Sequence, residues 1–333
     1  MVKPALVAAI VSGLLWLPAV SATQTSPAPP DDAAMEDFLR KGRIVRTRSA
    51  GKGVTGSIRA TLTLGDVTHD AHVQTIDESK WEFKSARSTE FNFRDKWQFN
   101  IAAYKLDRLL GLQLVPVTVE RRFRGEAASF TWWVDDVLMD EGERLEKKVA
   151  PPDDRCWDDQ MQLLGVFDQL IENTDRNVGN VVITKAWRVW AIDHTRAFRH
   201  SKVPAKPGKM RRVDRGVLER LAALDFDTLK REVRPYLNDS DLRALLSRRN
   251  AIVAHFRAGG ERVLYDRRDT AAMCRATQPP DTGTGREHPV MRLERTFGMW
   301  DRARSLSKNG RTLVNAQSQG GRDIWMMTLE GER

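Results

Sequence analysis

Residues 167–183 read FDQLIENTDRNVGNVVI, and residues 190–198 read WAIDHTRAF. Ahead of the first stretch, Trp157, Met161, Leu164, Phe167 and the pair Leu170/Ile171 recur at helical spacing, so Trp157 to Glu172 is expected to be an amphipathic helix. It runs into a polar loop, Asn173 to Asn180. Val181–Thr184 then reads as a strand, Lys185-Ala186 begins a tight turn, and Val189–Ile192 returns and delivers Asp193. Asp175 and Asn180 share one loop, so both can point into one cleft. The hairpin that starts at Asn180 should bring Asp193 back beside it. Phosphoryl transfer needs a carboxylate to orient the attacking hydroxyl and hard oxygen ligands for Mg²⁺ or Mn²⁺. A polar turn plus a strand-end aspartate is the plainer reading. It leaves unexplained why D-x-x-x-x-N and a later I-D are framed by a helix and a hairpin.

Upstream, Ile44–Arg48 looks like a strand, and Gly51-Lys52-Gly53-Val54-Thr55-Gly56 is a G-x-G-x-x-G followed by the alternating strand Ser57–Leu64. A dinucleotide-binding unit would place a helix after the glycines, so that reading fails. Strand, glycine loop, strand is the order in which backbone N–H groups cover nucleotide phosphates in kinase-like folds. A plain glycine-rich hairpin fits Gly51, Gly53 and Gly56 equally well. His72–Ile76 reads as a third strand. It carries Gln74 where a kinase would place a phosphate-binding lysine, with Lys80 and Lys84 a few residues on as substitutes. Asp95 to Leu110 is expected to be a helix with Asn100 one turn in, at the place of the glutamate that would pair with that lysine. Val115–Val119 and Phe130–Val134 complete an expected five-stranded sheet. Asp135-Asp136 then falls in a hinge between lobes, and Leu218 to Phe256 reads as two further helices.

These segments resemble the catalytic region of the phosphatidylinositol 3-/4-kinase-like group, which is similar in turn to four-jointed-type secretory kinases and HipA-like kinases. The shared pattern is N-x-D-R-H-x-x-N, a hairpin, then I-D. Asn173, Asp175, Arg176 and Asn180 match it, and Asn177 stands where histidine is usual. FRDKWQFNIAAYKLDRLLGL, VPVTVERR and TWWVDD also resemble a bacterial set of kinase-like proteins. The resemblance spans roughly Ile44 to Phe256. It implies an α+β, two-lobed protein-kinase-like fold, with a small antiparallel β N-lobe and a mainly helical C-lobe, that uses ATP and a divalent metal. It implies Asp175 and Arg176 as catalytic residues, Asn180 and Asp193 as metal ligands, and Gly51, Gly53, Gly56, Gln74, Lys84 and Asn100 around the nucleotide. Neutral Gln74 and Asn100 are departures from the lysine–glutamate pair. An active kinase with a lipid, protein or small-molecule acceptor and a catalytically weak pseudokinase acting as a scaffold are therefore both open.

Residues 1–22 read as a secretory signal, with Lys3 ahead of an apolar stretch and Val20-Ser21-Ala22 for cleavage. That implies a periplasmic or secreted protein with no membrane helix after cleavage. A true start at Met35 would make it cytoplasmic. Residues 23–35 read as a linker, 36–265 as the kinase-like domain with lobes meeting near residue 135, and 266–333 as a poorly ordered tail. The net charge of +9 comes from basic residues scattered among acidic ones, which argues against nucleic acid as partner. Two cysteines, Cys156 and Cys274, exclude a four-cysteine zinc module and allow one disulfide at most. His69 and His72 lack a third metal ligand, the Arg248-Arg249 pair reads as a solvated helix face, and the chain is expected to be a monomer.

Overall fold

Alternation of apolar residues in Ile58–Leu64 and Val67–Gln74 builds the first layer. In this computed structural model, residues 31–50, 57–84 and 89–267 are described, together with the backbone of three short strands further on. Helix α1 (Asp32–Lys41) leads into β1 (Arg43–Ser49), β2 (Ile58–Leu64) and β3 (Val67–Gln74). A hairpin of β4 (Asp77–Lys84) and β5 (Thr89–Lys96) follows, then helix α2 (Gln98–Leu109), β6 (Thr118–Phe123) and β7 (Glu126–Trp132). The main sheet has five antiparallel strands in the order β1-β2-β3-β7-β6. Register aligns Ile58, Val73, Phe130 and Val119 across four strands, and Ala60, Ala71 and Trp132 across three. All but the partly buried Ile58, which packs against it, are in one buried cluster with Phe38 and Leu39 of α1 and Phe99, Ala103 and Leu106 of α2.

Three boundaries differ from the sequence expectation. Helix α1 already begins at Asp32, inside the expected linker, and is held by Arg40–Glu36 and Lys41–Asp37 pairs one turn apart. The hairpin β4–β5 was not foreseen, because Asp77–Lys84 is almost wholly exposed and so carries no burial signal. Asp95 belongs to β5, and α2 starts only at Gln98.

The second half contains β8 (Val137–Asp140), α3 (Glu141–Glu146), the long α4 (Asp154–Ile171), and β9 (Val181–Thr184) with β10 (Val189–Ala191). It continues with β11 (Val213–Asp214), α5 (Arg215–Ala223), α6 (Phe226–Val233), α7 (Asp239–Gly259) and β12 (Leu264–Tyr265). Strands β8, β9 and β10 form an antiparallel sheet beside α4. Side-chain caps start most of these helices: Asp153 for α4, Asp214 for α5, Asp225 for α6, and a capping box of Asn238 and Asp241 for α7. The Asp225 cap splits the expected first C-terminal helix, so three helices occupy the region where two were read. Arg248 is a further correction. It is fully buried rather than solvated, and it donates to the carbonyls of Leu170, Arg199 and Ser201 and pairs with Glu172. Those carbonyls belong to a helix end and a loop distant in sequence, so helical periodicity at Arg248 could not reveal them.

This unit begins at Asp32. The expected leader, Gly51, Gly53 and Gly56 lie outside the described residues. So does most of the expected tail, in which β13 (Arg304–Leu306), β14 (Thr312–Asn315) and β15 (Trp325–Thr328) pair as an antiparallel sheet. Among the described residues no helix is long and apolar enough to cross a membrane.

Asp107 ties the end of α2 to the chain entering β6. Its Oδ1 accepts from the N–H groups of Leu114 and Val115, and its other oxygen pairs with Arg108. Burial pushes this carboxyl up to about 6, against the pull of Arg108 and the two amides. A raised carboxyl holds its proton more tightly in the folded state, so its contribution to stability is complete only below the unfolded value of 3.8 and is lost as the pH rises through about 6. Asp107→Asn retains an oxygen acceptor for both amides but does not titrate. Denaturant unfolding at stepped pH should show the variant gaining on the wild type between pH 4 and 6 and the difference levelling above that. A pH-independent difference would refute the assignment.

Candidate functional site

The loop after α4 is shaped by its own side chains. Helix α4 ends at Glu172 in the left-handed region, with φ 49°. Asn173 Oδ1 accepts from the Asp175 N–H at 3.0 Å, an Asx turn. The Asn177 N–H donates to the Asp175 carbonyl at 2.8 Å, and the Asn180 N–H to the Asn177 carbonyl at 3.1 Å. The Asn180 Nδ2 then donates back to the Asp175 carbonyl at 3.4 Å. With its nitrogen so engaged, the amide's oxygen is the end suited to a cation. The β9–β10 hairpin closes the circuit, because the Ile192 N–H donates to the Asn180 carbonyl at 3.1 Å and Asp193 follows directly. The backbone thus brings Asp193, which follows Ile192, next to Asn180 on the loop that also carries Asp175.

Asp193 has φ 54°, a left-handed conformation that is uncommon outside glycine but that aspartate tolerates better than most residues. Its Oδ1 accepts from the Thr195 hydroxyl at 2.9 Å. A third carboxylate stands close by. Asp95, read from sequence as a helix start, is 5% exposed in β5, and its Oδ1 has no hydrogen-bond partner among the described residues. Burial raises its pKa, and the negative charges of Asp193 and Asp175 raise it further, against Thr195 and Arg196. Only the unforeseen hairpin carries Asp95 here, so no local motif could have flagged it. Arg196 pairs with Glu90 at 2.7 Å and lies 3.6 Å from Asp175.

The other candidates fall into two groups. Arg176 is turned inward, its side chain 4% exposed, and ion-paired with Asp168. It also donates to the carbonyls of Asn180 and Ile192 and to His194 Nε2. It is therefore a positioning residue, not one that meets a substrate. Since Nε2 accepts, His194 carries its proton on Nδ1, and burial together with Arg176 holds its pKa well below the ordinary value. Asn100 is buried in α2, and its Oδ1 accepts the backbone N–H of His194 at 2.8 Å while its Nδ2 donates to Ser129. Gln74 accepts from the N–H groups of Thr75 and Ile76 and donates to Ser57, just ahead of the neighbouring strand β2. Ser129 lies between the two amides, as the register partner of Gln74 and the hydrogen-bond partner of Asn100. Lys84 stands apart on β4, 71% exposed and paired with Glu82, and Lys80 is paired with Glu78 on the same strand. Neither substitutes for a lysine on β3.

Among the described residues, no three His, Cys, Asp or Glu side chains form a ready metal cage. His69, weighed above as a ligand, instead stacks on Trp132 at 3.7 Å and bonds Asp135.

The sequence matches no protein-family model and no curated protein. Among solved structures, the chain is similar to hydra Fam20 with sugar at 17% identity and a TM-score of 0.52, covering 69% of this chain and 91% of that one. The Golgi casein kinase with Mn/ADP bound aligns at 16% identity and a TM-score of 0.49, over 69% of this chain and 76% of that one. The Helicobacter pylori proinflammatory kinase CtkA aligns at 13% identity and a TM-score of 0.40, over 67% and 98%. The fold is kinase-like, with an antiparallel sheet in the N-terminal region and a helical C-terminal portion.

Removing one partner of a buried ion pair costs about 3–5 kcal/mol. Arg176→Met should destabilise the chain by that order, because Asp168 and two loop carbonyls lose their donor. Urea unfolding measures it, and a loss below about 1 kcal/mol would mean that the loop does not depend on Arg176.

Proposed function

We propose that the chain is an exported ATP-dependent phosphotransferase whose acceptor is a hydroxyl. The observation that carries this reading is the convergence of Asp175, Asn180 and Asp193 on one loop-and-hairpin junction, with Asp95 beside them. Asp175 is half-exposed at the loop surface and can orient an acceptor hydroxyl and take its proton. Asn180 and Asp193 would hold a divalent cation. Asp95, whose buried oxygen has no partner among the described residues and which feels the negative charges of Asp193 and Asp175, adds to the negative field that would draw a cation to this junction. A bound Mg²⁺ or Mn²⁺ would neutralise charge on the transferring phosphate. Two protein ligands are few for a self-sufficient cage but suit a metal that keeps water and phosphate oxygens.

Gly51, Gly53 and Gly56 fall in sequence between β1 and β2, and in this reading their N–H groups would cover phosphates. A cavity of about 410 Å³ lies beside the loop, lined by Glu90, Phe91, Asn92, Thr174, Arg199 and His200, and offers room for an acceptor. Export is supported by the leader-like residues 1–22. A second reading, a pseudokinase scaffold, is favoured by one observation. Gln74 and Asn100 are both engaged in holding backbone, so neither lends positive charge to a nucleotide.

Two variants separate the readings. Asp193→Asn should weaken Mg-ATP or Mn-ATP binding, read by thermal shift with and without metal, because one ligand loses its charge. Unchanged affinity would remove Asp193 from the metal site. Asp175→Asn should bind nucleotide nearly as well as the wild type but turn over at least ~100-fold more slowly. A wild type that binds nucleotide without any turnover, in either metal, would favour the scaffold.

A further inference from the structure

Strand β4 reads Asp77-Glu78-Ser79-Lys80-Trp81-Glu82-Phe83-Lys84, and among the described residues it pairs with β5 alone, with no other described strand on its outer edge. Trp81 is 75% exposed, and so is much of Phe91 across the hairpin, their rings 6.4 Å apart. Edge strands that must stay single are usually short, bulged or guarded by like charges. This one instead has charges that invert about Trp81. Lys80 and Glu82 flank it at one residue, and Glu78 and Lys84 flank it at three.

A second β4 laid antiparallel, with Trp81 opposite Trp81, therefore meets Lys80 with Glu82 and Glu78 with Lys84, each twice. In that register the tryptophan pair is flanked by Ser79 opposite Phe83. A slip of two residues in either direction sets Lys80 against Lys84 or against its own mate, and glutamate against glutamate. A parallel in-register pairing sets every charge against itself. The pattern thus selects one register and one direction. In a single copy the same charges pair along the strand, Lys80 with Glu78 at 2.7 Å and Lys84 with Glu82 at 3.2 Å. These are exposed pairs, worth little and readily exchanged.

We propose that β4 is a self-recognition edge, and that two copies of the chain join their hairpins into one four-stranded sheet about a two-fold axis at Trp81. This differs from the monomer expected from the sequence and is independent of the phosphotransferase reading. It also has a bearing on the site, because β5, the inner strand of the hairpin, carries Asp95, and its Glu90 pairs with Arg196 and Arg199.

The test is the mass of the full chain in solution, by light scattering and sedimentation, for four proteins. The wild type should be a dimer. Lys80→Glu and Glu82→Lys, each alone, put like charges opposite twice and should raise the dissociation constant ~10-fold or more. The double variant Lys80→Glu/Glu82→Lys restores every pair and should dimerise as the wild type does. Mixing the two single variants should give a heterodimer, since one then carries only acids and the other only bases at these positions. Both positions are on an exposed strand, and unchanged circular dichroism would confirm that the fold is intact. A monomeric wild type, a dimer that the single variants leave unmoved, or a double variant that fails to recover would each overturn the proposal.

Discussion

One buried guanidinium organises the centre of the molecule. Arg176 lies in a loop, yet its fork joins the side chain of Asp168 on α4 to the carbonyls of Asn180 and Ile192, the two ends of the β9–β10 hairpin. Arginine is suited to this because its planar donors leave in fixed directions and it stays charged when dry. Asp175 and Asn180 lie on the loop that this fork holds. A charge buried for this purpose is costly to desolvate, and the ion pair with Asp168 offsets that cost. Stability of the loop and geometry of the candidate site are therefore one interaction, which is why the arginine occurs within the same eight residues as the groups it positions.

The same principle, polar groups buried to hold backbone, governs the sheet side of the cleft. Asn100 fixes the N–H that follows Asp193, and Gln74 folds back on its own strand's end. Each amide has a donor and an acceptor end, so it can satisfy neighbours of both kinds without adding charge. What they do not supply is a cation. The positive charges around the loop, Arg196 and Arg199, are drawn instead to Glu90 of the β4–β5 hairpin. The hairpin is therefore linked to the loop by charge as well as by the Lys96 N–H, which donates to the Thr195 carbonyl. The outer edge of β4 lies on the far strand of that same hairpin.

Local sequence determined what depends on near neighbours. The helix before Asn173, the loop from Asp175 to Asn180 and the hairpin back to Asp193 were legible, because periodicity and short spacing encode them within forty residues. The antiparallel pairing of β1 and β2 was legible from alternation flanking a turn. Tertiary structure decided the rest. Asp95 joins the carboxylates through a hairpin whose exposed strand shows no burial pattern. Arg248 looks like half of a surface pair and is fully buried, because its partners, Leu170, Glu172, Arg199 and Ser201, come from segments some 50 to 80 positions away. Arg176 reads as part of a catalytic motif and proves to face inward. A side chain's spacing along the chain tells which face of an element it occupies, but what meets that face is set by packing between distant segments, and no local pattern records it.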